Sequence, residues 1–295
     1  VAFLGSPEPA ARCLTALVDA GHDVVVVVTE PDKRRGRRTA TSATPVKQLA
    51  TSLGLPVTDR VDAVVDAGAD LGVVVAFGRL IRPPVLERLL IVNLHFSLLP
   101  RWRGAAPVER AILAGDEATG VCLMQLDEGL DTGPVYARVE TPIDPTETAQ
   151  ELRDRLAELG SALLVDRLTG GPSGLGTPVP QSGEPTYAAK ISPAELRIDW
   201  SRRAIEIDRL VRVGRAWTTF RGGRLIVWKS SLSSGQDQGQ LEAVEELPSG
   251  SLAGDLVRCG DGWLRIVTVQ AEGRQRQDAG SWMRGARIGS AEALA

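Results

Sequence analysis

The chain has 295 residues, 43% of them hydrophobic and 24% charged, and a formal net charge of −3. That length points to about two domains, the composition excludes disorder over the whole chain, and the acidic balance excludes a protein that coats nucleic acid indiscriminately. Apolar runs such as 24–28 fall far short of the roughly 20 residues that cross a bilayer, so no membrane span is expected.

Residues 1–4 are apolar and lead into Gly5-Ser6-Pro7-Glu8-Pro9. No charged segment followed by an apolar one marks a secretory leader, and the start at Val1 rather than Met leads us to expect a few preceding residues. Helical spacing follows over 10–20, with Leu14, Leu17 and Val18 on one face. The β-branched run 24–29 reads as a strand buried on both faces, as in a parallel sheet. Residues 42–53 read as a helix with Pro45 in its first turn. Two further apolar runs, 71–77 and 90–94, flank a short helix over 84–89. Strand and helix alternating in this way imply right-handed βαβ units and an open α/β sheet. Residues 119–126 and 134–141 read as strands around an acidic loop, and 148–168 as an amphipathic helix with Leu152, Leu156, Leu159, Leu163 and Leu164 at helical spacing.

The segment 169–186 is dense in Gly, Pro and Ser, the composition of a linker. Five of the six tryptophans (200, 217, 228, 263 and 282) lie beyond it. There 202–213 reads as a helix and 225–228 and 263–269 as strands, the pattern of a small β-barrel. The expected organisation is an α/β N-terminal domain over 1–172, a linker over 173–189 and a β-barrel domain over 190–295.

Several segments carry chemistry. Asn93 and His95 stand two apart at the end of a core strand, so they share one face. Two buried polar groups there need partners or a task. The loop Asp127-Glu128-Gly129-Leu130-Asp131-Thr132-Gly133 holds three carboxylates; it is an exposed acidic turn or places one of them beside His95, where it would fix the imidazole tautomer. Arg101-Trp102-Arg103 either packs locally or offers cations to an anionic substrate. The run Lys33-Arg34-Arg35-Gly36-Arg37-Arg38 is a solvated loop or a phosphate binder, because its self-repulsion is relieved by an anion. Between residues 197 and 229 nine basic residues face three acidic ones, which keeps specific contact with a polyanion open. Gly5-Ser6-Pro7 lacks a full GxGxxG and reads as an ordinary strand-to-helix turn. No GxSxG is present, Cys122 reads as an inert buried thiol, and His22 lies in a helix-exit turn. Three cysteines more than 100 residues apart and two histidines leave no metal site or disulfide framework to expect.

Taken together, these segments resemble the methionyl-tRNA formyltransferases, within the wider family of folate-dependent formyltransferases. The similarity runs over nearly the whole chain and is most specific at Ser97-Leu98-Leu99-Pro100-Arg101-Trp102-Arg103-Gly104-Ala105-Ala106-Pro107. Gly129-Leu130-Asp131-Thr132-Gly133, Tyr187-Ala188-Ala189-Lys190 and Arg284-Gly285-Ala286-Arg287 add to it.

The resemblance implies a Rossmann-like domain that holds 10-formyltetrahydrofolate, a C-terminal OB-like domain that helps grip tRNA, and no metal. It places Asn93, His95 and Asp131 in the catalytic positions. Ser97, Leu98, Leu99 and Pro100, with Val75, Ala76, Phe77 and Gly78, fall in the folate-contact segments. Lys33, Arg34, Arg35, Arg37 and Arg38, with Arg101 and Arg103, are implied as tRNA contacts. The implied reaction is formyl transfer to the α-amine of methionyl initiator tRNA, by a monomer in the cytoplasm. Phe96 departs from the family, where Gly is usual. Two other readings stay open: formyl transfer to a small amine such as glycinamide ribonucleotide, and a non-catalytic RNA-binding protein on a degenerate enzyme fold.

Overall fold

Seven strands, β1 (Ala2–Gly5), β2 (Val26–Val28), β3 (Val57–Thr58), β4 (Gly72–Val75), β5 (Ile91–His95), β6 (Ala118–Gln125) and β7 (Val135–Pro142), form one sheet in the order β7-β6-β5-β4-β1-β2-β3. The first five run parallel. β6 is antiparallel to β5, and β7 antiparallel to β6. The computed structural model describes residues 1–34, 41–233, 247–289 and 292–295.

The parallel strands β1, β2, β4 and β5 are buried along their whole lengths. That is why β1, β2 and β4 read in the sequence as apolar runs rather than alternating ones, while β5 is interrupted only by Asn93 and His95. β7 instead alternates between buried and exposed positions, as an edge strand with one wet face does. The helix Glu8–Asp19 joins β1 to β2 and buries Leu14 and Leu17 completely. The helix Pro45–Ser52 begins on Thr44, whose hydroxyl accepts the Lys47 amide. The long helix Ala149–Arg167 keeps Leu152, Leu156 and Leu164 out of water.

Strand order reverses between β1 and β4, since β2 and β3 lie to one side and β5 to the other. A crevice opens at the carboxyl ends of strands at such a point. Gly5 ends β1 where a Cβ would stand 2.7 Å from Ala10 Cβ and 2.9 Å from the Val75 carbonyl, so the turn into the first helix needs glycine. The turn is therefore the close strand-to-helix connection expected of Gly5-Ser6-Pro7.

The described residues divide into two units. The first comprises Val1–Val108, Ala118–Pro142 and Leu152–Ala189; the second comprises Glu109–Glu117, Ile143–Glu151 and Lys190–Ala295. In the second unit an antiparallel sheet runs in the order Ala216–Phe220, Gly223–Leu232, Trp263–Ala271, Leu256–Arg258, Leu252–Ala253, and Gln277–Asp278 also pairs with the third of these. Trp200, Ile207, Val211, Leu225, Val227, Ile266 and Trp282 fill its core. The strand expected over 225–228 is longer than its apolar run, because irregularities in register at Val227, Lys229 and Ser230 let pairing continue into polar sequence. Among the described residues, no helix is long and apolar enough to cross a membrane.

One buried acid in this unit sets a pH dependence. Asp208 is 7% exposed and accepts a hydrogen bond from the Ser230 hydroxyl at 2.7 Å. Burial pushes its carboxyl above the usual carboxylate range. The folded state then binds this proton more readily than the unfolded state, so the group's contribution favours folding more as pH falls through its raised value toward the ordinary carboxylate range. Asp208→Asn keeps an oxygen for Ser230 and removes the buried charge. Thermal melts across pH are expected to show a higher Tm for the variant at pH 7 and convergence with wild type in acid.

Candidate active site

β5 delivers Asn93 and His95 to its carboxyl end on one face of the strand, 9% and 5% exposed. His95 lies opposite Cys122 of β6, and Asn93 opposite Met124. Burial raises the pKa of the Cys122 thiol, so no thiolate nucleophile stands beside the histidine at neutral pH.

The chain leaves β5 in a loop that folds back over His95. The Ser97 hydroxyl donates to the Arg101 carbonyl at 2.5 Å. Trp102 takes a left-handed backbone (φ 62°), and its carbonyl lies 2.8 Å from His95 Nε2. A carbonyl only accepts, so Nε2 carries the proton in this contact. Nδ1 lies 3.6 Å from Asp131 Oδ2.

Of the three carboxylates in the acidic loop, only Asp131 faces the imidazole. Asp127 is consumed locally, accepting the Gly129 amide at 3.1 Å and the Thr132 hydroxyl at 2.7 Å. Glu128 is exposed. Asp131 has φ 51°, and its Oδ2 also accepts the Gly104 amide at 2.8 Å. Gly104 itself has φ 115°, and a Cβ there would meet the Ala188 carbonyl at 3.0 Å. Two loops with left-handed turns thus converge on one histidine.

The other expected residues fall into distinct places. Ala76, Phe77 and Gly78 line a cavity of about 350 Å³ at the switch point, together with Ser6, Pro7, Glu30 and Thr44. Val75 stands apart from that lining, fully buried within β4. Ala76 (φ 46°) and Gly78 (φ 74°) turn the backbone here. Ser6 accepts the Glu30 amide at 3.1 Å. Ser97 and Leu99 point inward, Leu99 packing on Cys122 and Met124, while Leu98 and Pro100 are part-exposed. The Arg101 guanidinium stacks on Trp102, 4.6 Å from the ring centre, and Arg103 bonds the Gln181 carbonyl oxygen. Lys33–Arg34 pairs with Thr41–Ser42 as a two-strand ribbon, while Arg35, Arg37 and Arg38 lie outside the described residues. Among the described residues, no group of three or more His, Cys, Asp and Glu side chains could hold a metal ion.

Gln181 and Thr186, which the sequence places in the linker, contact the loops around His95. Thr186 Oγ1 accepts the Trp102 amide at 2.9 Å, and Tyr187–Ala188 pairs in parallel with Arg103–Gly104. The available signal was Tyr187-Ala188-Ala189-Lys190, a stretch too specific for a pure spacer.

Comparison with known proteins follows the same outline. A family model described as formyl transferase matches residues 1–168, and one described as the formyl transferase C-terminal domain matches 190–287. The chain is 42% identical over 299 residues to the methionyl-tRNA formyltransferase of Ruegeria pomeroyi, covering 97% of this chain and 96% of that one. It is 41% identical over 304 residues to that of Symbiobacterium thermophilum, covering 97% and 92%. Among solved structures, HypX from Aquifex aeolicus in complex with tetrahydrofolic acid superposes with a TM-score of 0.65 at 17% identity, covering 95% of this chain and 46% of that one. That last likeness is one of fold.

Proposed function

The chain belongs to the formyl transferase family, and from that membership and its geometry we propose that it moves a formyl group from 10-formyltetrahydrofolate to the α-amine of methionyl initiator tRNA. The observation that carries the chemistry is the His95–Asp131 pair at the carboxyl end of β5, with Asn93 on the same face of that strand. The 41–42% identity to methionyl-tRNA formyltransferases over almost the full length supports the acceptor.

The folate supplies a formyl group already at the oxidation level at which it is transferred. The cavity at the switch point, with its backbone-lined turn at Ala76–Gly78, fits a flat ring with hydrogen-bonding edges. Ala76, Phe77 and Gly78, with the loop Ser97, Leu98, Leu99 and Pro100, hold it. Negative charge gathers on the formyl oxygen as the amine attacks, and the protein must place donors there. Asn93 offers its amide N–H₂. His95 offers its Nε2–H when substrate displaces the Trp102 carbonyl. Asp131 holds the imidazole from the Nδ1 side and removes the ammonium proton through a bound water; the tetrahedral adduct then collapses with cleavage of the formyl C–N10 bond, and N10 takes a proton as tetrahydrofolate leaves. The protein acts as a monomer in the cytoplasm.

The acceptor is gripped through its phosphates, by Lys33, Arg34, Arg35, Arg37, Arg38, Arg101 and Arg103 and by the C-terminal domain. That domain carries cations stacked on aromatic rings at its surface. Arg224 lies 4.3 Å from the centre of Trp217, and Arg276 lies 3.3 Å from that of Trp228. Such pairs suit contact with a nucleic acid.

Replacing Arg35, Arg37 and Arg38 together with glutamine tests this grip. We expect a KM for methionyl-tRNA about tenfold higher, and a salt dependence of log(kcat/KM) shallower by roughly one per lost phosphate contact. Folate affinity stays unchanged. Lost folate affinity with normal tRNA use would contradict the reading.

A further inference from the structure

The segment between the two units' sheets in sequence, 173–189, has the composition of a spacer, yet one of its side chains joins the two loops that build the site. The Gln181 amide nitrogen donates to the Asp131 carbonyl at 2.8 Å and to the Gly133 carbonyl at 2.8 Å. Its oxygen accepts Arg103 Nε at 3.1 Å and a terminal guanidinium nitrogen at 2.7 Å. A glutamine side chain offers two N–H donors and one oxygen with two lone pairs, and all four positions are filled. The orientation of the amide is unambiguous. Carbonyls can only accept and a guanidinium can only donate, so a flipped amide would lose every bond.

These partners are not arbitrary. Asp131 is the residue whose carboxylate faces His95, and it sits in a left-handed backbone that a side-chain-bearing residue holds only under constraint. Gly133 closes the same turn, and its own Cβ position is blocked by the Gln125 carbonyl at 2.0 Å. Arg103 lies next to Gly104, whose amide binds the Asp131 carboxylate. Gln181 therefore fixes Asp131 from its backbone side, while Gly104 fixes it from its side-chain side. Around Gln181, further bonds dock the same segment: Val179 bridges to Val135 through both backbone amides, and the Arg103 amide donates to the Thr186 carbonyl at 2.9 Å.

We infer that Gln181 is a positioning residue for formyl transfer: it holds the acidic loop and the arginine loop in register, so that Asp131 meets His95. The inference rests on the proposed reaction. A loop freed to shift by about 1 Å can lose up to roughly 100-fold in rate while substrate binding is kept.

Two variants test it in the full-length protein. Gln181→Met fills the same space with no hydrogen bond. Gln181→Glu keeps an oxygen for Arg103 and sets its second carboxylate oxygen against the two loop carbonyls. The readouts are kcat and KM for both substrates, thermal melting, and pH dependence relative to wild type. We expect kcat to fall about 10- to 100-fold in both, with each KM within about threefold of wild type. We also expect the activity of the Glu variant, relative to wild type, to recover as pH falls, since a protonated carboxyl regains one donor; the Met variant should show no such recovery. If the Met variant does not fold, the Glu variant carries the test alone. Unchanged kcat, a loss that only tracks the unfolded fraction, or no acid recovery in the Glu variant would overturn the role of Gln181. A wild-type protein inactive toward methionyl-tRNA would overturn the proposed reaction first, and this inference with it.

Discussion

Replacing His95 with alanine is expected to lower kcat/KM for formyl transfer by about 100- to 1000-fold, the usual cost of losing one donor to a developing oxyanion. That is about 2.7–4 kcal/mol of transition-state stabilisation. The ring is held between two acceptors, the Trp102 carbonyl at 2.8 Å and Asp131 at 3.6 Å. It is only 5% exposed, so its direction is set by the fold rather than by solvent. His95 ends β5, and the neighbouring strand β4 and residues 91–92 of β5 are apolar and buried without it. The variant should therefore fold and bind folate. Steady-state transfer kinetics, with circular dichroism and folate titration on the same sample, check this. Wild-type turnover by a folded His95→Ala protein would remove His95 from the mechanism.

Asp131→Asn is the more discriminating substitution. The asparagine keeps an oxygen that accepts the Gly104 amide, so the loop's geometry survives. The carboxylate facing Nδ1 is lost, and with it the group we propose to orient the imidazole and take the amine's proton. General acid–base groups contribute about 100- to 10,000-fold, and we expect a kcat loss in that range. Asp127→Asn is the internal control. Asp127 only ties its own turn, to Gly129 and Thr132, and its loss should leave kcat within about threefold of wild type. Equal effects at both positions would mean that the acidic loop acts as scaffold alone.

The core of the α/β unit was legible because strands covered on both faces leave no alternation, only apolar runs such as 24–29 and 71–77. β3 was not, since Val57–Thr58 is too short to form a run. The helix Pro107–Ala114 hides behind the Arg-Trp-Arg-Gly loop, and Ala279–Ala286 contains two glycines, which weaken any helical reading. Asn93 and His95 were legible as two polar groups at the end of a core strand. Which of three nearby carboxylates would face His95 was not, because a left-handed turn at Asp131 decides it and leaves no periodic trace. The docking of 173–189 left little trace beyond the stretch Tyr187-Ala188-Ala189-Lys190, because it relies on backbone pairs and on a few side chains such as Gln181 and Thr186, set in Gly- and Pro-rich sequence. The loop residues Arg35, Arg37 and Arg38 were read from their charge and from the family resemblance, and stand on the kinetic test above.

The most direct measurement is transfer of labelled formyl from 10-formyltetrahydrofolate to three acceptors: methionyl initiator tRNA, methionyl elongator tRNA and glycinamide ribonucleotide. A strong preference for the initiator tRNA is the predicted result. Transfer to none of them, or to the small amine alone, would contradict it, leaving a folded formyl transferase whose acceptor is not tRNA.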